Sequence, residues 1–331
     1  MGATTLMSVS VFAPASIGNV NVGFDVLGLA VKPVDGTLLG DVVTVTHSND
    51  GDQIEVIGAF ANKLPSDVKQ NIVWHCLLLF NKELLVNEQT IAEVKITLDK
   101  RMPVGSGLGS SACSVVAAIA GLNAFYEKYH QFSFSEQALL KMMGQMEAQI
   151  SGSLHYDNVA PCFLGGMQLM VPNPDIITRN LPQFDDCYFV MAYPGIEVST
   201  KAAREILPAS YSRADLISFG QNLATFVDAC HRGDKNQAFS VLTDIVAEPY
   251  RKSILPGYSD AASYLTQEGC LAVGISGSGP TLFCVTDDEE KAKEFANWLN
   301  ENYLQTSASG KSEGFVHICQ ADTQGAVSLP E

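Results

Sequence analysis

The 331-residue chain is poor in basic residues and has neither long apolar runs nor paired cysteines, and each shortage removes a class of function. Twenty Lys and Arg against 36 Asp and Glu leave a formal net charge of −16. Such a surface repels phosphate backbones and anionic membranes. No basic stretch leads into an apolar core at the N-terminus, and no apolar run reaches the length of a bilayer span. Neither a secretory leader nor a membrane helix is expected. The eight cysteines, at 76, 113, 162, 187, 230, 270, 284 and 319, contain no Cys-x-x-Cys pair and sit mostly in apolar surroundings. They read as buried thiols of a reducing compartment, so the expectation is a soluble cytoplasmic protein with no nucleic-acid or membrane partner. Repeats and low-complexity tracts are also missing.

What is present is a 47% hydrophobic chain, enough for two modest cores or one large one. Alternating or β-branched runs predict strands over 41–47, 54–57, 93–98, 166–171 and 187–192. Helical spacing predicts helices over 71–85, 110–126, 135–150, 214–231, 237–246 and 289–301, with a further strand-and-helix pattern over 198–207. The loop carrying Pro172, Pro174 and Pro182 suggests a boundary. The fold class expected is α+β, with domains over 1–182 and 183–331.

The most informative run is Pro103-Val104-Gly105-Ser106-Gly107-Leu108-Gly109-Ser110-Ser111-Ala112, which feeds an apolar helix. A helix's first turn has unpaired N–H groups and partial positive charge, so phosphate oxygens can be held there by backbone alone. The three glycines permit left-handed dihedrals and close approach, and the two serines offer a cap and hydroxyls. A nucleotide phosphate is the ligand this implies. Two other glycine motifs fail. Ser110 stands where a dinucleotide fingerprint needs its last glycine, and Gly310-Lys311-Ser312 has Gln305 where a Walker loop needs its first. Residues 305–314 read as a polar surface loop.

Three further segments carry chemistry. Asn19 and Asp25 lie in a glycine-containing turn that interrupts an apolar segment, where a cap or a ligand explains them. Glu147, His155, Asp157 and Asn158 lie between two hydrophobic runs. A magnesium–nucleotide site needs only one or two carboxylates, since the small cation keeps waters and takes phosphate oxygens. Gly274-Ile-Ser-Gly277-Ser-Gly279-Pro280 forms a second glycine loop.

Taken together, Gly-Phe-Asp25-Val-Leu-Gly, Pro-Val-Gly-Ser-Gly-Leu-Gly-Ser-Ser-Ala, His-Tyr-Asp157-Asn158-Val-Ala-Pro and Tyr193-Pro-Gly-Ile-Glu-Val-Ser-Thr200-Lys-Ala-Ala-Arg204 resemble the GHMP kinases, which group galactokinase, homoserine kinase, mevalonate kinase and phosphomevalonate kinase. Within that superfamily they are most similar to the homoserine branch. The resemblance runs from about residue 8 to 326; Met7 could serve as an alternative start. It implies a two-domain fold, with an amino-terminal αβ domain bearing the phosphate loop and a ferredoxin-like carboxy-terminal domain. The implied partners are ATP, Mg2+ and L-homoserine, in a homodimer.

By the same resemblance, residues 103–112 hold the ATP phosphates and Asn71 meets adenine. Ser110 or Ser111 joins Glu147 on magnesium. Asn19 and Asp25 meet the substrate ammonium, Arg204 and Arg251 grip its carboxylate, and Asn158 and Thr200 orient its hydroxyl beside His155. Asparagine at 158 cannot take a proton, which leaves catalysis to alignment and charge neutralisation. The residues taken singly leave alternatives. Glu147 fits a solvated surface group, Asn71 and the pair Asp157–Asn158 fit helix caps, Arg251 fits a surface ion pair, and His155 fits a core histidine. A sister kinase of another small alcohol, or a metabolite-binding regulator on the same fold, stays open at this point.

Overall fold

A computed structural model of the chain describes residues 7–173, 175–304 and 313–330. The Gly310-Lys311-Ser312 run and nearly all of the expected loop over 305–314 lie outside the described residues. The elements in order are β1 (Ser8–Pro14), β2 (Ser16–Gly18), β3 (Leu27–Pro33), β4 (Gly40–His47), β5 (Gln53–Ile57), α1 (Ile72–Val86), β6 (Val94–Asp99), α2 (Ser110–His130), α3 (Glu136–Ser151), α4 (Val159–Leu164), β7 (Met167–Met170) and β8 (Thr178–Leu181). There follow β9 (Tyr188–Tyr193), α5 (Thr200–Glu205), α6 (Arg213–Arg232), α7 (Lys235–Ser240), α8 (Glu248–Arg251), α9 (Tyr258–Gln267), β10 (Ala272–Ile275), β11 (Leu282–Thr286), α10 (Glu289–Asn302), β12 (Phe315–Ala321) and β13 (Val327–Ser328).

Two sheets organise these elements into an α+β fold. The first has the order β13-β1-β4-β6-β5, antiparallel except where β5 runs parallel to β6. The apolar stripe of β6 alternates with half-buried positions along the strand, the period-two pattern of a sheet covered more heavily on one side. Helix α2 packs on β1 and β4 and is flanked by α1 and α3. It is therefore buried on most of its surface, which its small residues Ala112, Ala117, Ala118 and Gly121 permit. The second sheet has the order β10-β11-β9-β12-β3-β7-β8, with β2 attached to β3. Hydrogen bonding thus runs across position 182, from β3 to β12.

Alternation along β9 separates two cores. Phe189 and Met191 face the large core shared with α2, α6 and α7, and Val190 and Ala192 face a smaller core under α9 and α10. Phe283 and Cys284 of β11 divide in the same way. No helix among the described residues is long and apolar enough to cross a membrane. All eight cysteines are free thiols, seven of them buried.

Most expected elements occur within a few residues of their predicted bounds. One does not: the helix expected over 237–246 ends at Ser240. Asp244 takes the backbone N–H groups of Val246, Ala247 and Glu248 at 2.8, 2.8 and 3.1 Å. Its carboxylate thereby offers the chain an alternative to continued helix. The proline-bearing stretch before 183 also holds a short strand, β8, that was not expected.

Candidate active site

The two glycine loops meet at a cleft of about 440 Å3. Gly105, Gly107 and Gly109 all adopt left-handed dihedrals, with φ of 63°, 79° and 69°. The N-cap of α2 is Gly109 and no side chain caps it, so neither serine acts as the cap. By contrast Ser135, Ser199 and Ser212 cap α3, α5 and α6. The first turn of a 21-residue helix is thus left with open N–H groups at the cleft.

The tight approach at Gly107 is to the protein itself. A Cβ there would lie 2.5 Å from the carbonyl oxygen of Ser276 and 2.7 Å from that of Gly279. The second loop braces the first: Ser276 Oγ donates to Gly107 O and Thr281 Oγ1 to Ser106 O, each at 2.7 Å. The expectation that glycine makes room for ligand is corrected here, because the room is taken by residues 276–279. Leu108 and Ala112 turn into the core, Pro103 is buried, and none of the three lines the cleft.

The two serines separate in role. Ser111 Oγ donates to Glu147 Oε1 at 2.7 Å, whereas Ser110 Oγ turns to the carbonyl of Met102 at 3.4 Å. Glu147 is not a surface residue; it is 6% exposed, and its Oε2 has no partner among the described residues. Burial pushes its carboxyl above the usual range, opposed only in part by Ser111 and the neighbouring His155. A buried carboxylate with one unmet oxygen beside a hydroxyl fits part of the oxygen donor set of a small hard cation, and the open helix terminus next to it suits the phosphate that would complete that set. Asn71 does cap α1, taking Val73 N–H at 2.9 Å through Oδ1. Its Nδ2 stays buried and unpartnered in a residue that lines the cleft.

At the other end, residues 19–25 fold into a turn with four non-glycine residues at positive φ, namely Asn19, Val20, Asn21 and Asp25. Such conformations cost on the order of 1–3 kcal/mol each and persist where surroundings impose them. Asn19 imposes part of this: Oδ1 accepts Asp25 N–H at 2.9 Å, and Nδ2 donates to Gly277 O at 3.2 Å. Asp25 then meets Arg204 in a two-pronged ion pair, Nη1 to Oδ2 at 2.9 Å and Nη2 to Oδ1 at 2.6 Å. The resemblance puts these two side chains at opposite ends of a substrate; here they hold each other.

Arg251 is the contrasting cation. It is 3% exposed, so the surface ion-pair alternative fails. Its partners are the carbonyls of Ala203 (3.1 Å) and Gly277 (2.7 Å), with no ion pair among the described residues. Burial lowers its pKa, and the nearest carboxylates only partly compensate. The ring of Phe24 lies under both guanidinium groups, at 5.7 Å from Arg204 and 5.6 Å from Arg251.

The segment 155–158 crosses the floor of the cleft. Gly28 admits it: a Cβ there would fall on the Asp157 carbonyl. His155 Nδ1 pairs with Asp157 Oδ1 at 2.7 Å, Asn158 Nδ2 donates to Asp157 Oδ2 at 3.2 Å, and Ser16 Oγ donates to Asn158 Oδ1 at 3.0 Å. Asn158 heads α4 without making a side-chain cap, so its amide faces this network instead. Burial pulls the His155 pKa down, but Asp157 outweighs it and the net shift is upward. Its Nε2 has no partner among the described residues. Polar atoms of Asp25, His155 and Asp157 all lie within 4.8 Å of one another. Thr200, the first residue of α5, approaches Ser278 at 3.4 Å.

Every residue expected in the site lines this cleft except Pro103, Leu108 and Ala112. Sequence reasoning missed Ser16, Lys100 and Ser114 and gave Asp157 no ligand role. Asp157 could have been found from its place between His155 and Asn158; the others carry no local signal.

Residues 71–166 match the GHMP kinases N terminal domain, and residues 226–305 match the GHMP kinases C terminal domain. A homoserine kinase from Cytophaga hutchinsonii superposes with a TM-score of 0.86 at 30% identity, covering 99% of each chain. A putative homoserine kinase from Listeria monocytogenes gives 0.67 at 19% identity, covering 98% of this chain and 100% of its own. The Streptococcus pneumoniae phosphomevalonate kinase gives 0.69 at 12% identity, over 96% of this chain and 99% of its own. These last two likenesses concern the fold alone.

Proposed function

The chain belongs to the GHMP kinases and is a small-molecule kinase, and from that premise we propose that it transfers the γ-phosphoryl group of ATP to the hydroxyl of L-homoserine. The product is O-phospho-L-homoserine, on the way to threonine. The observation that carries the acceptor is the charge layout of the cleft. Asp25, Asp157 and His155 converge at one corner, while Arg251 lies buried nearby with no carboxylate partner among the described residues. An amino acid that bears both an ammonium and a carboxylate complements both corners at once; mevalonate, a simple anion, complements one. The 30% identity to a homoserine kinase over the whole chain supports the same reading. The resemblance adds a cytoplasmic homodimer.

In this reading the open N–H groups at the start of α2 hold the phosphates, and residues 276–281 keep the loop in place. Glu147 and Ser111 would hold Mg2+, which supplies charge neutralisation to the phosphates. The substrate carboxylate takes Arg251, and its ammonium takes Asp25, so that Arg204 is released from its present partner. The homoserine hydroxyl oxygen forms the new bond to phosphorus as the bond to the ADP oxygen breaks. Asn158 and Thr200 orient that hydroxyl. Both oxygens of Asp157 are already engaged by His155 and Asn158, so no side chain is assigned as base. The loose transition state of phosphoryl transfer needs little activation of the nucleophile, and the proton passes to phosphate or solvent.

Initial rates with ATP and magnesium across homoserine, threonine, serine and mevalonate test this. Homoserine should lead in kcat/KM; a lead for mevalonate would contradict the acceptor while leaving the family intact.

A further inference from the structure

The phosphate loop has two ends, and one buried ion pair holds both. Asp41, on β4, is fully buried, and Lys100, just past β6, is 1% exposed. Asp41 Oδ1 accepts the N–H groups of Arg101 and Met102 at 2.9 and 3.0 Å, which fixes the chain immediately before the loop. Asp41 Oδ2 accepts Lys100 Nζ at 2.6 Å and Ser114 Oγ at 2.7 Å. Lys100 Nζ donates further to the carbonyl of Ser110 at 2.8 Å and to Ser114 Oγ at 3.0 Å, which fixes the first turn of α2 immediately after the loop. All three ammonium protons have acceptors.

Two features separate this pair from a device for stability. Replacing a dry ion pair by apolar side chains is often neutral or stabilising, so folding alone does not call for it. The lysine also lines the cleft in which the phosphates would lie. The pair is neutral as a whole, so what it gives a bound anion is the placement of the backbone at both ends of the loop. We propose that Lys100, with Asp41 and Ser114, is a positioning group for the nucleotide. By drawing the Ser110 carbonyl into the core, it aims the open N–H groups of the first turn into the cleft. The inference rests on the kinase reading and is independent of which alcohol is phosphorylated.

The test uses the double variant Lys100→Met/Asp41→Leu, which leaves no unpaired buried charge, and the conservative Lys100→Arg. Thermal melting, calorimetric ATP–magnesium affinity and steady-state kinetics are read on each. The double variant leaves the N–H groups of Arg101 and Met102 without their acceptor, so it should melt a few degrees below wild type while staying folded, yet lose about ten- to a hundredfold in ATP affinity and in kcat. The KM for the acceptor alcohol should stay within about twofold. Lys100→Arg should recover part of the nucleotide affinity, since it restores the charge but not the three-way geometry. A double variant that is stable and binds ATP like wild type overturns the proposal. So does one that unfolds, because the pair would then serve the fold, and so does a Lys100→Arg variant no better than the double. Calorimetry reads the nucleotide directly, so an error in the homoserine assignment would leave the measured ATP affinities unchanged.

Discussion

Glu147→Gln separates stability from catalysis at a single atom. The amide keeps the carboxylate's shape and can still accept the Ser111 hydroxyl, but it removes the charge whose Oε2 is buried without a partner. An unsatisfied buried polar group costs about 1–3 kcal/mol, and more when charged. Exchanging an unmet charge for an unmet neutral amide should therefore raise nucleotide-free stability by about 1 kcal/mol, on the order of 2 °C in a chain of this length. The sign depends on pH. The folded-state pKa of Glu147 is raised, so its contribution is full below the ordinary carboxylate pKa and is lost as pH rises through the raised value. The advantage of glutamine should thus be present near neutral pH and vanish on acidification. Turnover should respond the other way, because removing one preorganised charge-stabilising group costs about a hundred- to a thousandfold in kcat. Melting curves across a pH series and steady-state rates at saturating ATP and magnesium read both halves. A near wild-type kcat, or a clear loss of melting temperature near neutral pH, would refute the reasoning.

Three other perturbations follow from the same geometry. Arg251→Met should raise KM for homoserine about ten- to a hundredfold through loss of a charge-assisted hydrogen bond of roughly 1.5–3 kcal/mol, with ATP affinity by calorimetry unchanged; equal losses for both substrates would remove Arg251 from the carboxylate. Gly107→Ala should be strongly destabilising, because its Cβ meets the backbone of Ser276 and Gly279 and its φ is 79°; a melting temperature equal to wild type would show that the two loops part easily. His155 should titrate above the ordinary histidine value by NMR and fall back in Asp157→Asn, since Asp157 supplies the upward shift. The stability that the raised pKa represents is full below the unfolded value and is lost as pH rises through the folded one; melting that is insensitive to pH across this window would count against it.

How much of this was legible in the sequence depends on distance along the chain. The phosphate loop, Glu147 and the 155–158 segment declare themselves because glycine spacing and clustered polar residues in apolar surroundings are local signals. The burial of Glu147 was not legible, since its helical position alone fits a solvated face. The Lys100–Asp41 clasp joins residues far apart in sequence, and a lone Asp beginning a β-branched run looks like ordinary strand edge. Arg204 and Asp25 each stand out in the sequence as site residues; that they pair with each other arises only when α5 is laid beside the 19–25 turn. The α7 overshoot has a similar origin. Apolar spacing continued past Ser240, but Asp244 captured the N–H groups of the next turn, and tertiary placement overrode the helical pattern.

The central claim is that the cleft reads both charges of an amino acid before phosphorylating its hydroxyl. The most direct measurement is kcat/KM for homoserine against two truncated acceptors, the hydroxy acid that lacks the ammonium and the amino alcohol that lacks the carboxylate, with the phosphate ester identified by phosphorus NMR. Each truncation should cost at least about tenfold, as expected for one unpaired charge in a partly desolvated site. A hydroxy acid phosphorylated as well as homoserine would contradict the claim.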